Sequence, residues 1–194
     1  EFLLENDYKV YGAVRRSSTS NMDRLVNIIN HPNLSLINMD FLDTSSIDKF
    51  VHTVLKECWS SLIISDNMEV YNLAAQSHVG ESFKIPSITH QINAVGTIVL
   101  LESLHNHFKD RFRFYQASSS ELYGNIATRG DIILNEDTPF APTSPYAVAK
   151  AAAFHTVKNY RETYDLYCVN GILFNHESPR RGVEFVTRKI TLGV

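Results

Sequence analysis

Phe114-Tyr-Gln-Ala-Ser-Ser-Ser-Glu-Leu-Tyr-Gly124 opens as a β-type run and closes on three serines and a carboxylate. Phe112 to Ala117 reads as a strand, which puts Ser118, Ser119, Ser120 and Glu121 at its carboxyl end. Open α/β sheets hold their ligands at that end. Several hydroxyls and one carboxylate there can orient a sugar and move protons. The plain alternative is a polar loop capped by its own serines.

Working outward, short β-type runs alternate with helical ones. Tyr8 to Val14, Leu34 to Met39, a run closing on Val70 to Leu73, and Cys168 to Phe174 read as further strands. A helix is expected from about Ser45 to Lys56, capped by Asp43 or Thr44. Pro86 to Phe108 reads as one long amphipathic helix, with Ile92, Val95, Val99 and Leu100 on roughly one face. Ser144-Pro145 looks like a cap and first turn of a helix reaching about Tyr164, and another helix begins near Val183. The alternation predicts an α/β fold, a Rossmann-type doubly wound parallel sheet. Its beginning does not fit, because Glu1 to Glu5 resembles the end of a helix and the first whole strand follows it. Gly12 is the only glycine before Gly80, so no glycine-rich turn can be written. The expected sheet therefore lacks its first, central strand and that turn, as a fragment of a longer protein would.

The net charge of −3 gives no electrostatic reason to expect nucleic acid or an anionic membrane as partner. No apolar run is long enough to span a bilayer. The two cysteines, Cys58 and Cys168, read as buried free thiols of a reducing, cytoplasmic compartment. His105 and His107 do not share a helix face, and no Cys, His and carboxylate cluster has zinc spacing, so no metal is expected.

Tyr146-Ala-Val-Ala-Lys150 sets a phenol and an ammonium on one helix face. A nearby ammonium stabilises phenolate and lowers the tyrosine pKa, as a general base on a sugar hydroxyl requires. The pair alone is weak, since an exposed Tyr beside a solvated Lys has the same spacing. Arg15 and Arg16 end a strand where an acidic residue would favour NAD; arginine there suits the 2′-phosphate of NADP, with Ser17 and Ser18 beside it. Asn175-His-Glu-Ser-Pro-Arg-Arg-Gly182 follows the last strand, and its arginines suit a phosphate or form a solvated charge run.

Together, Ser118 to Gly124, Ser144 to Lys150, Asn170 to Gly182, Tyr71-Asn-Leu-Ala-Ala-Gln-Ser-His78 and Arg15-Arg-Ser-Ser18 resemble the GDP-mannose 4,6-dehydratases, extended short-chain dehydrogenases/reductases. The similarity covers nearly the whole chain. It implies NADP-dependent conversion of GDP-mannose to GDP-4-keto-6-deoxymannose and water, in GDP-fucose synthesis. Tyr146 would take the O4 proton, Lys150 would bind the nicotinamide ribose, and Glu121 would remove the C5 proton. Ser119 stands where the family has Thr. Asp40 and Phe41 would flank the adenine, and Leu73, Ala74, Ala75 and Ser77 would line the cofactor cleft. His176 and Arg181 would lie near the nicotinamide and phosphates, while Ser118 and Asn175 would meet the substrate. Residues 1–174 would form the NADP-binding domain, and 175–194 would start the nucleotide-sugar-binding region. A homotetramer or homodimer is implied, with Arg16 to Arg24 as a candidate contact.

The chain departs from the family in places. Trp59 to Asp66 reads as an insertion, Asn125 to Asn135 is longer than usual, and Ile88 replaces a tyrosine near the cofactor. Without the glycine turn, NADP binding should be poor. Two alternatives remain: another nucleotide-sugar epimerase or dehydratase, or a non-catalytic truncated homologue acting as a binding subunit. An epimerase would not need Glu121, and glucose dehydratases usually carry Asp-Glu where this chain has Ser120-Glu121.

Overall fold

Alternating apolar residues in the strands meet apolar helix faces in one core. A computed structural model describes residues 1–18, 22–60, 68–128, 130 and 132–194 of the chain. After a short helix α1 (Phe2–Glu5) come β1 (Val10–Val14), β2 (Leu34–Asn38), α2 (Thr44–Ser60) and β3 (Met68–Asn72). Then follow α3 (Val79–Ser82), α4 (Pro86–His90), a π-helical turn Gln91–Val95, α5 (Gly96–Phe108) and β4 (Phe112–Ser119). A 3-10 segment Ser120–Thr128 leads on to α6 (Pro145–Tyr164), β5 (Tyr167–Leu173) and α7 (Val186–Gly193). The expected insertion at Trp59 to Asp66, the Arg16 to Arg24 contact and the Asn125 to Asn135 loop lie partly outside the described residues.

All the strand pairs among the described residues are parallel. They form two sheets, β1-β2 and β3-β4-β5. β1 pairs only with β2, and β3 only with β4, so the division falls where the sequence reading leaves out a strand. One apolar cluster nevertheless serves both sheets. Ile47 and Val51 of α2, Leu101 and Leu104 of α5, Phe112 and Phe114 of β4, Val157 of α6 and Cys168 of β5 are buried together. Tyr11 of β1 and Ile37 of β2 pack against them. Each fully buried large apolar side chain contributes roughly 1.5–3 kcal/mol, which makes this cluster the main tie between the two sheets.

The predicted helix ends are built as expected, with local differences. Asp43 is the cap of α2, its Oδ1 accepting from the Ser45 and Ser46 amides at 3.0 and 3.3 Å, and α2 runs to Ser60 rather than Lys56. Ser144 caps α6 by accepting from Ala147 N at 3.1 Å, with Pro145 in the first turn. The helix expected near Val183 begins at Val186. β4 continues to Ser119, because Ser118 and Ser119 still pair with Ile172 and Leu173 of β5.

The long helix expected from Pro86 to Phe108 is not one α-helix. The π turn interrupts it, and apolar periodicity could not reveal this because the cause is polar. Asn93 is 1% exposed and bonds the Gln76 backbone twice, accepting from N at 2.8 Å and donating to O at 3.0 Å. A buried Asn so fully satisfied outweighs the lost regularity.

Gly96 opens α5 against the ring of Phe41. A Cβ there would stand 2.6 Å from Phe41 Cδ2 and 2.9 Å from Phe41 Cβ. Phe41 is itself buried and cannot swing away. Gly96→Ala is therefore expected to lower stability by about 1–3 kcal/mol, as overpacking does, despite the better helix propensity of alanine. Denaturant titration of the two proteins checks this.

Candidate active site

The serines at the end of β4 divide their work. Ser118 is 3% exposed and its hydroxyl donates to Asn170 Oδ1 at 3.2 Å. Its side chain thus ties β4 to β5. Ser119 Oγ accepts from the Glu121 amide at 3.2 Å and also reaches the Tyr146 phenol. Gly124 then turns the chain with φ +50°, and a Cβ on it would overlap the Ala141 carbonyl. Only glycine fits, and the turn leaves Glu121 exposed beside Tyr146.

Tyr146 and Lys150 are held by the start of α6. The Tyr146 amide donates to Ser82 Oγ at 3.2 Å, so α3, which the periodicity did not reveal, helps to anchor the site. Lys150 is 3% exposed, and its Nζ donates to the Ala117 carbonyl at 2.7 Å and lies 5.9 Å from the Tyr146 ring centroid. Burial pulls the Lys150 pKa down to about 8. Tyr146 is pushed up by burial first, relieved by the Ser119 hydroxyl and raised again by the Glu121 charge. Lys150 is not among the groups that move it. The lowering expected from the Tyr-Lys pair is thus absent from this arrangement, because desolvation dominates and the ammonium is turned to Ala117.

The cofactor-side residues follow the carboxyl ends of the other strands. Arg15, Arg16, Ser17 and Ser18 are exposed after β1. Asp40, after β2, accepts from Leu42 N at 2.9 Å, and the Phe41 ring packs in the core against Gly96. Leu73, Ala74 and Ser77 are exposed after β3, and Ala75 is half-buried. Asn93 clamps this loop through Gln76.

After β5, Asn175 and His176 are exposed, and His176 Nδ1 lies 2.9 Å from Phe174 O. Arg181 stacks its guanidinium 3.7 Å from the Phe185 ring centroid, with Glu177 3.6 Å away. Its buried Nε has no described hydrogen-bond partner. Phe185 in turn lies 6.4 Å from the His78 ring, so the loops after β3 and β5 meet. Arg180 pairs with Glu1 at 2.5 Å. Sequence reading missed Ser82, Asn93 and Gln116, whose parts rest on contacts between distant segments.

Among the described residues no group of three or more His, Cys, Asp or Glu could hold a metal ion, and no helix is long and apolar enough to cross a membrane. The residues present do fit a dinucleotide. Exposed arginines end β1, an open loop ends β3, and Lys150 has one described acceptor, which leaves further N–H donors for a ribose.

A parallel α/β fold with Ser119, Glu121, Tyr146 and Lys150 gathered at the end of β4 defines the extended short-chain dehydrogenase/reductase class. The solved structure of a dTDP-glucose 4,6-dehydratase from Streptomyces venezuelae with NAD and DAU bound has this fold. It superposes with a TM-score of 0.77 at 22% identity, covering 98% of this chain and 56% of that one. A structure described as RMD from Pseudomonas aeruginosa, complexed with NADPH, gives a TM-score of 0.65 at 27% identity over 85% of this chain and 53% of that one. Residues 1–194 match the family model described as GDP-mannose 4,6 dehydratase, and the chain belongs to that family. It is 46% identical over 202 aligned residues to GDP-mannose 4,6 dehydratase 2 of Caenorhabditis elegans, covering 100% of this chain and 49% of that protein. The chain spans about half the length of the curated relatives it matches.

The buried Lys150 charge sets a stability prediction. A lysine whose folded pKa is depressed costs stability below that pKa, and the cost fades as pH rises from about 8 towards the ordinary 10.5. Lys150→Met is expected to raise unfolding free energy at neutral pH by roughly 2 kcal/mol, the charge relief less the lost hydrogen bond to the Ala117 carbonyl. Denaturant unfolding across that pH range should show the gain shrinking at alkaline pH.

Proposed function

We propose that this chain is the cofactor-side part of a GDP-mannose 4,6-dehydratase. The observation that carries the reading is the meeting of Ser119, Glu121 and Tyr146 above the buried Lys150, within a chain of that family. Residues 1–174 hold the dinucleotide and residues 175–194 begin the nucleotide-sugar region. The cofactor is NADP, with Arg15, Arg16, Ser17 and Ser18 at the 2′-phosphate. Support comes from the arginines that stand where NAD enzymes place an acid, and from the NADPH-bound relative at 27% identity.

When bound, NADP would supply a hydride acceptor and, once reduced, a hydride donor. Tyr146 takes the O4 proton as the C4 ketone forms, with Ser119 orienting the sugar oxygen. Glu121, exposed beside the phenol, removes the C5 proton that the ketone acidifies. It then helps the C6 hydroxyl leave as water. Lys150 binds the nicotinamide ribose and Asn175 faces the nucleotide-sugar. The product is GDP-4-keto-6-deoxymannose, the entry to GDP-fucose, made by a homodimer or homotetramer.

The test is to isolate the native protein from its source by affinity capture, weigh it intact, and offer it GDP-mannose with NADP. A product lighter by one water, formed without net NADP reduction, is expected; turnover of another nucleotide-sugar and not of GDP-mannose would replace the reading. In that protein Glu121→Gln should cut dehydration about 10²–10⁴-fold while NADP binding stays nearly intact. Tyr146→Phe should stop hydride removal from C4, followed with substrate deuterated at that carbon. Full turnover in either variant would contradict its assigned role.

A further inference from the structure

Beneath the site runs a line of buried amides that the chemistry above leaves unused. Asn72, the last residue of β3, stands opposite Gln116 in the β3-β4 register. Both are almost fully buried, at 3% and 1% exposed. Asn72 Nδ2 donates to Gln116 Oε1 at 2.8 Å and lies 3.3 Å from Thr97 Oγ1 of α5. Gln116 Nε2 donates at 3.3 Å to the Ala117 carbonyl, the same oxygen that accepts from Lys150 Nζ at 2.7 Å. At the other end, Asn72 Oδ1 accepts from Ala74 N at 3.3 Å, in the loop after β3.

Two amides in the middle of a sheet are costly unless each is bonded, and apolar residues of similar size would satisfy packing alone. Their polarity needs a further reason, and the ends of the line supply it. One end is the loop assigned to the cofactor, and the other is the ammonium assigned to its ribose. We propose that Gln116, oriented by Asn72, is a positioning residue that fixes the Ala117 carbonyl and thereby sets where Lys150 holds its ammonium. The inference rests on the dehydratase reading of Lys150.

The arrangement is a chain of directional constraints. Asn72 presents its N–H side to Gln116 because its oxygen is taken by Ala74 N. Gln116 must therefore turn its oxygen to Asn72 and its N–H to Ala117. The Ala117 carbonyl has two lone pairs, and with Gln116 on one the other faces Lys150. Tyr146 is the titratable group beside Lys150, with Glu121 beyond it. Burial pulls the Lys150 pKa down, and the Ala117 carbonyl is the acceptor described for its ammonium.

The experiment titrates Lys150 in the full-length protein, by carbon NMR of ε-labelled lysine assigned through Lys150→Met, alongside NADP affinity and thermal unfolding. Gln116→Met keeps the length of the side chain and removes both amide contacts. It should lower the Lys150 midpoint by about half a pH unit or more and weaken NADP binding about tenfold. A fall in thermal stability with the Lys150 midpoint unmoved or raised would reduce Gln116 to a packing residue and overturn the proposal. Should Gln116→Met fail to fold, Gln116→Leu decides, since it is neutral and apolar and also removes both amide contacts. Its Lys150 midpoint should fall as well, and an unchanged or raised one overturns the proposal. Lys150→Met with full turnover would sink the dehydratase role of Lys150 itself, whereas an inert Gln116 beside an inactive Lys150→Met would sink the positioning alone.

Discussion

The hydrogen bond from the Lys150 ammonium to the Ala117 carbonyl ties the two halves of the site together. It crosses from α6 to β4 at the point where β4 turns from apolar pairing to the serines of its tip. An ammonium in that position is expensive, as its depressed pKa records. Much nearby structure makes the cost tolerable. Ser144 caps α6, Ser82 accepts from the Tyr146 amide, and the small residues Ala147, Ala149 and Ala153 let the helix lie close.

The fold was largely legible because its signals are apolar and local. The strands around Val10, Leu34, Phe112 and Cys168, and the Ser144-Pro145 helix start, follow from side-chain spacing and cap chemistry. What stayed hidden depends on partners remote in sequence. Within the π turn Asn93 bonds Gln76, and α3 is capped by His78 Nδ1 accepting from Glu81 N at 3.1 Å. No window of neighbouring residues contains that information. The sequence pointed to one sheet short of a strand, and neither the division into two sheets nor the core that they share could be read from it.

The same contrast holds at the site. Residue types with obvious chemistry, Tyr146, Lys150 and Glu121, could be picked out by spacing and resemblance, and they meet in space. Their electrostatics could not be picked out. A Tyr-Lys spacing says that the groups share a helix face, but the pKa depends on what else fills the space. Here burial governs both, in the directions that oppose charge. Ser118 and Phe41 show how far a suitable residue type can also serve the fold. Each has a suitable side chain at a suitable strand end, and each is spent on structure, Ser118 on Asn170 and Phe41 on Gly96.

The π turn has a consequence for how the two ends of its helix share one strand layer. A π turn accommodates an extra residue, which shifts the angular phase of everything after it by about 100° relative to an unbroken helix. Up to and within the turn, the inward positions include Thr89 and Asn93, which serve polar loops; after it they include Leu100, Leu101, Leu104 and Phe108, which serve the oily interior. The inserted residue thus works as a gear between two faces with different solvents of preference. Wound instead as an unbroken α-helix, the same residues would keep every side chain chemically unchanged and put one of those faces out of step with its partner.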